Sequence, residues 1–224
     1  MNKYGDQPSP LLKKYLLENK VVEITEYLYH GSPFDGLVQM LVRGIGGQEH
    51  GEVAEYESFS TSLNSEILHY FSEGDGETGL QFKVDNAKVI VLDDIMTFLV
   101  TQLPGSGMSA EVDDEQKFEE FCQRFNIPVG SHRHGPYLPY GYLSSLGVDA
   151  FVYDYTWAYL QRYSGYRGAS AARDEHEICF IGKGIPKLDK LITTIYVDGE
   201  EFDKKLPALR AIKKKMHDKA GGDN

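Results

Sequence analysis

Apolar residues recur along this chain in two rhythms, one of helical spacing and one of short continuous or alternating runs. Helical spacing predicts a short first helix over "LLKKYLLE", where Leu12, Tyr15 and Leu16 share a face. It predicts a second over "GLVQMLVRG", with Asp35 as its cap and Gly44 as its stop. Asn64 is placed to cap "SEILHYFSEG", whose Ile67, Leu68 and Phe71 point inward. Phe118, Phe121, Cys122 and Phe125 follow i, i+3, i+4, i+7 and define a buried helical face. "YLSSLG" reads as a helical turn closed by Gly147, and Leu206, Leu209, Ile212 and Met216 as a C-terminal helix with a lysine-rich outer face. The strand rhythm covers "VVEITEYLYHGS", "ESFSTSLN", "DAFVYDY", "EICFIG" and "LITTIYVDGEEF", the last containing a turn. "GLQFKV" and "AKVIVLDD" read as two strands on either side of a "DNA" turn. Residues 1–10, "HRHGPYLPYG" and 156–174 read as an arm and two loops. The predicted class is α+β, a mostly antiparallel sheet with helices inserted between strands.

A chain of 224 residues suits one domain of ordinary size with extensions: an arm and short helix over 1–23, a main domain over 24–202, and a basic helix with a frayed tail over 203–224. Its 34 acidic and 23 basic residues give a net charge of −11, which argues against tight binding to a phosphate backbone. Neither nucleic acid nor membrane is an expected partner, and a monomer is expected. Cys122 and Cys179 lie far apart in apolar surroundings, so both read as small buried hydrophobes in a reducing, cytoplasm-like setting. The first twenty residues lack a signal-peptide core and no run approaches membrane-spanning length, while secretion without a cleaved signal stays open.

Chemistry concentrates in "ARDEHEICFIGKGIP". Ile178 to Ile181 are four consecutive apolar residues, the pattern of a strand covered on both faces. Glu177 stands at its mouth, with Glu175 two residues earlier and therefore on the same side of an extended chain. A carboxylate there is costly unless it is paired, hydrogen-bonded or facing a cleft. The alternative is that the two carboxylates merely keep a strand end in water.

Two further stretches, "EYLYHGS" (26–32) and "SFSTSLN" (58–64), also end or begin predicted strands. In this order, with a helix between the first two, the three resemble the ADP-ribosyltransferase superfamily over roughly residues 24–200. That superfamily carries a first-strand His-Gly or Arg-Gly, a second-strand Ser-Thr-Ser or Tyr, and a Glu beginning a late strand. The resemblance implies a fold of split, mostly antiparallel sheets and, over 24–202, a catalytic domain that consumes NAD as substrate. It implies transfer of ADP-ribose to a side chain of an acceptor protein, arginine first among candidates, as in bacterial effectors or phage-encoded modifiers. Glu177 would be the catalytic carboxylate, hydrogen-bonded to a ribose hydroxyl, and Glu175 would engage the acceptor arginine. Ser60 would orient Glu177 while Thr61 and Ser62 brace their strand. His30 would donate to a ribose hydroxyl, with Gly31 and Ser32 beside the nicotinamide. Phe59 and Tyr70 stand at the spacing of two tyrosines that sandwich nicotinamide in the polymerase relatives; Tyr70 also reads as a core aromatic. Toxin relatives that pair Ser-Thr-Ser with Glu-x-Glu have Arg where His30 stands. That leaves the diphosphate without its usual partner, and Arg43 is one candidate.

Two other readings remain at this point. A chain that kept the fold but lost most of its catalysis would be an NAD- or ligand-binding module. His132 and His134 alternate, and with His50 and His176 they raise a metal-dependent hydrolase, although two ligands make no site and no H-E-x-x-H or Cys pair supports one. The loop 156–174, with Tyr159, Tyr163, Tyr166, Arg167 and Arg173, matches the position of the family's acceptor-recognition turns.

Overall fold

In the computed structural model, residues 9–45, 58–70, 76–101, 115–127, 138, 140–153 and 176–221 are described. Within them the chain runs α1 (Pro10–Asn19), β1 (Val21–Gly31), α2 (Phe34–Arg43), β2 (Ser58–Ser62), α3 (Ile67–Tyr70), β3 (Gly79–Leu92) and α4 (Asp94–Thr101). It continues with α5 (Glu115–Phe125), α6 (Tyr140–Ser145), β4 (Ala150–Tyr153), β5 (Glu177–Ile181), a 3-10 segment (Gly182–Leu191), β6 (Ile192–Val197), β7 (Glu200–Phe202) and α7 (Lys205–Gly221). The protein is therefore a mixed fold of one sheet and surrounding helices.

The seven strands lie in the order β1-β2-β5-β4-β3-β6-β7, and β1 pairs with β3 as well. The first five strands thus close on themselves. β3 and β4 run parallel, and the other described pairings are antiparallel. Closure depends on β3, which is one strand of fourteen residues rather than the two strands and turn expected from "DNA". Asn86 takes φ +53° and its N–H is accepted by the Thr25 hydroxyl at 3.0 Å, so Asp85 and Asn86 form a bulge opposite β1. An asparagine tolerates this left-handed step, and a bulge bends a strand without ending it.

Two apolar cores flank the sheet. The first joins Leu28, Phe82, Val152, Ile178 and Phe180 to α2, the 3-10 segment and α7. The second joins Ile90, Phe151, Cys179 and Ile181 to α1, α4, α5 and α6. β5 thus sends alternate residues into both, which explains its unbroken apolar run. Burying each large side chain of this kind contributes roughly 1.5–3 kcal/mol. Leu12 and Leu16 of α1 and Ala208 and Ile212 of α7 lie in these cores, and residues 23 and 24 are both inside β1.

Local signals account for most helix ends. Ser9 accepts from Leu12 N at 3.3 Å at the start of α1, and Asn64 accepts from Glu66 N at 3.0 Å before α3. α2 departs from expectation: it begins at Phe34 after Pro33 with no side-chain cap, and Asp35 sits inside its first turn, where a carboxylate favours the helix dipole. α4 was hidden by the reading of "VLDD" as a strand end. Asp93 accepts from Met96 N at 2.9 Å and pairs with Lys20 at 2.6 Å, turning the strand directly into a helix. Among the described residues no helix is long and apolar enough to cross a membrane.

Candidate active site

The candidate site forms where β1 meets β2, at a single register position that places Tyr29 opposite Ser62. β2 is then held along its length by β5: Ser60 opposes Cys179, Thr61 opposes Ile178 and Ser62 opposes Glu177. The period of two puts Ser58 and Ser60 on the face of Glu177 and Cys179. Thr61 is buried on the other face, where its hydroxyl donates to the Ile178 carbonyl at 2.8 Å and ties β2 to β5. Ser62 is buried too, and its hydroxyl accepts from Asn64 N at 2.9 Å, shaping the exit toward α3.

Ser60 is the hub. Its hydroxyl donates to Oε1 of Glu177, and its carbonyl oxygen accepts Nδ1–H of His30 at 2.8 Å. One exposed serine therefore holds a half-buried carboxylate and a half-buried imidazole on either side of itself. The His30 ring lies on Phe59, centroids 4.2 Å apart and planes at 31°, and Phe59 meets the edge of Phe82. One side of Phe59 is thus occupied by His30. Tyr70 stands largely exposed at the end of α3.

Burial holds the His30 imidazole below its ordinary pKa, against the opposing pull of the Ser60 carbonyl. The neutral ring commits Nδ1–H to that carbonyl, so Nε2 is a hydrogen-bond acceptor. The sequence expectation of a donating His30 is revised accordingly. A lowered pKa also links this residue to stability. Between the folded value and 6.5 the unfolded chain holds the extra proton, so stability is complete above 6.5 and falls as pH drops through the folded value. Urea unfolding at several pH values should therefore show a smaller acid-side loss in His30→Gln than in wild type. Equal losses would detach His30 from this buried, neutral state.

Gly31 has a reason of its own. A Cβ there would sit 2.0 Å from the Ile67 carbonyl oxygen, so α3 packs backbone to backbone on β1. Gly79 opposite is equally constrained, with φ +152° and no room beside the His30 carbonyl. Ser32 is turned away: its N–H donates to the Thr78 carbonyl at 3.2 Å and its hydroxyl to that of Pro33 at 3.1 Å. Arg43 lies at the C-terminal end of α2, whose following Gly44 approaches Asp189 in the 3-10 segment after β5.

Glu175 lies outside the described residues, as do His50, His132, His134 and the loop 156–174. His176, the residue before β5, has φ +40° rather than an extended backbone. His176 is itself buried, and its carbonyl accepts from Leu63 N at 3.4 Å. Left-handed residues of this kind cluster at functional turns. Among the described residues no group of three His, Cys, Asp or Glu side chains could hold a metal.

Three site residues escaped sequence reasoning. Cys179, read as a mere core residue, has its Sγ 3.7 Å from the Ser60 hydroxyl. Its thiol pKa is pushed well up, first by burial and then by Glu177, so it is held as the neutral thiol. Tyr140, the first residue of α6, has its phenol pushed up to about 12, chiefly by burial and then by nearby Cys179 and Glu177, against an opposing pull from Ser58. Only a strand assignment for β2 with its register could have exposed Ser58, and nothing in the local sequence ties Tyr140 to it. Neither a family model, nor a curated protein, nor a solved structure matches the chain.

Proposed function

We propose that the protein is a mono-ADP-ribosyltransferase that cleaves NAD and passes ADP-ribose to a protein side chain, with an ADP-ribosyltransferase-like split sheet. The observation that carries this reading is that Ser60 bonds both Glu177, through its hydroxyl, and His30, through its backbone carbonyl. Cleavage of the nicotinamide–ribose bond develops positive charge on the ribose, as in glycoside cleavage. The bonding pair leaves with nicotinamide, and an acceptor nucleophile closes on the anomeric carbon. A carboxylate fixed beside that carbon stabilises the developing cation more than the ground state. The Ser60 hydroxyl occupies one lone pair of Glu177 and leaves the other oxygen for a ribose hydroxyl. Neutral His30 offers Nε2 to a second ribose hydroxyl, which then donates rather than accepts. Partly buried Phe59 and exposed Tyr70 would supply aromatic surface for the nicotinamide. Arginine is the acceptor we favour, with Glu175 as the group that would orient its guanidinium.

The test uses labelled NAD with purified protein and a cell lysate, read by mass spectrometry of modified side chains. Wild type should mark arginines. Glu175→Gln should retain NAD hydrolysis, because Glu177 still serves the ribose, while transfer to arginine falls at least tenfold, on the scale of a lost acid–base group. Equal loss of both reactions would remove the acceptor role from Glu175, and absence of any label transfer would remove the transferase reading.

A further inference from the structure

A cavity of about 560 Å³ opens at the bulge of β3, bounded also by the residue before β4, by β5 and by the 3-10 segment. Its volume is that of a pocket for a small molecule. The floor is apolar: Val84, Ala87 and Phe180 belong to the first core, and partly buried Leu191 packs against it. Apolar walls that face a hollow forgo the contacts a filled core would give them, and a ligand with an apolar body restores those contacts. Phe180 lies three residues along β5 from Glu177, so the cavity is set roughly 10 Å down that strand from the candidate active site.

The rim is charged, and the fold presets it. Asp85 and Asn86 form one part, held by the bond from Asn86 N to the Thr25 hydroxyl. Lys187 and Lys190 form another, on a segment that lies backbone to backbone on Asp149: a Cβ on Gly184 would sit 2.0 Å from the Asp149 carbonyl oxygen. Asp149 commits its own carboxylate within the protein, pairing with Lys187 at 2.5 Å and accepting from Lys88 N at 3.2 Å. Among the described residues, Asp85 and Lys190 have no salt-bridge partner. One anionic and one cationic group thus stay available above an apolar floor.

We propose that this cavity binds a small zwitterion with an apolar side chain, of amino-acid to dipeptide size. Lys190 takes its carboxylate, Asp85 takes its ammonium group, and the side chain covers Ala87, Phe180 and Leu191. A singly charged ligand would satisfy one rim group and meet the other as a like charge. The proposal is independent of the transferase reading.

The experiment titrates the purified full chain by calorimetry, with amide NMR shifts to locate binding. The probes are phenylalanine and leucylphenylalanine, beside phenylpropionate, phenylethylamine and glycine. At least one of the two apolar zwitterions should bind saturably at millimolar concentration or below and move the amides of Ala87, Phe180 and Leu191. Phenylpropionate, phenylethylamine and glycine should each bind at least about fivefold more weakly, the upper end for an ion pair that water can reach. Lys190→Ala and Asp85→Asn change exposed positions, so each should weaken the zwitterion to a similar degree with an unchanged urea midpoint. Glu177→Gln should leave its binding unaltered. Lack of saturable binding by both zwitterions overturns the proposal. So does equal binding of the singly charged analogues, binding by both rim variants as tight as wild type, or a set of shifts confined to residues around Glu177.

Discussion

Glu177→Gln should lower nicotinamide release from NAD by about 10²–10³-fold while the protein unfolds at nearly the same denaturant concentration. The amide keeps the shape of the side chain and an oxygen for the Ser60 hydroxyl, so β2 and β5 stay in register. It removes only the negative charge that would face the ribose as positive charge develops. Glu177 is half-buried at the strand mouth rather than sealed in the core, so the substitution strands no buried charge. Near wild-type turnover by a folded Glu177→Gln protein would remove the carboxylate from the chemistry. An unfolded variant would assign Glu177 to the fold instead.

Gly31→Ala should destabilise the protein by roughly 3 kcal/mol, the upper part of the range for overpacking. The obstacle is backbone: the new Cβ would lie 2.0 Å from the Ile67 oxygen and 2.8 Å from its carbon, and neither can rotate away. Gly147→Ala is the comparison. Nothing lies within 4 Å of a Cβ there, and φ of +82° leaves only left-handed backbone strain, about 1–2 kcal/mol. Urea unfolding of the two variants reads the difference. Equal losses would mean that α3 does not press on β1 as described. A glycine at this position therefore has a packing explanation that stands whether or not NAD binds.

Much of the site was legible because its residues are carried by strands whose patterns are strong. "VVEITEYLYHG" alternates, "EICFI" is continuously apolar, and both form strands close to the expected bounds. Once those strands and "SFSTS" were assigned, their chemical residues fell at adjoining ends. Roles that depend on orientation were harder to read. That His30 is left with Nε2 as an acceptor follows from its Nδ1–H donating to the Ser60 carbonyl, a backbone group invisible to motif reasoning. Asn86 was read as a turn because asparagine favours turns; the same left-handed tolerance serves a bulge when both flanking segments find one partner strand. Gly182, Gly184 and Pro186 follow the apolar run of β5 directly. They belong to a ten-residue 3-10 segment stabilised by burial of Ile185 and Leu188, a tertiary gain with little local signature. Tyr140 was out of reach for the same reason, since only tertiary packing brings its ring onto Phe151.

The same physical argument limits the role of cysteine. Burial and Glu119 push the Cys122 thiol up to about 11, and burial with Glu177 pushes Cys179 higher than its ordinary value. Nucleophilic attack is the work of thiolates, so neither sulfur competes with Glu177 for the chemistry.

Ser60, Glu177 and His30 are proposed to form an NAD-cleaving site. Its most direct test is nicotinamide release, followed chromatographically, from NAD incubated with the purified full chain, beside Glu177→Gln and Ser60→Ala. Steady release by wild type, lost in Glu177→Gln and reduced in Ser60→Ala, is the predicted result. Intact NAD with all three proteins, or equal release by all three, would contradict it.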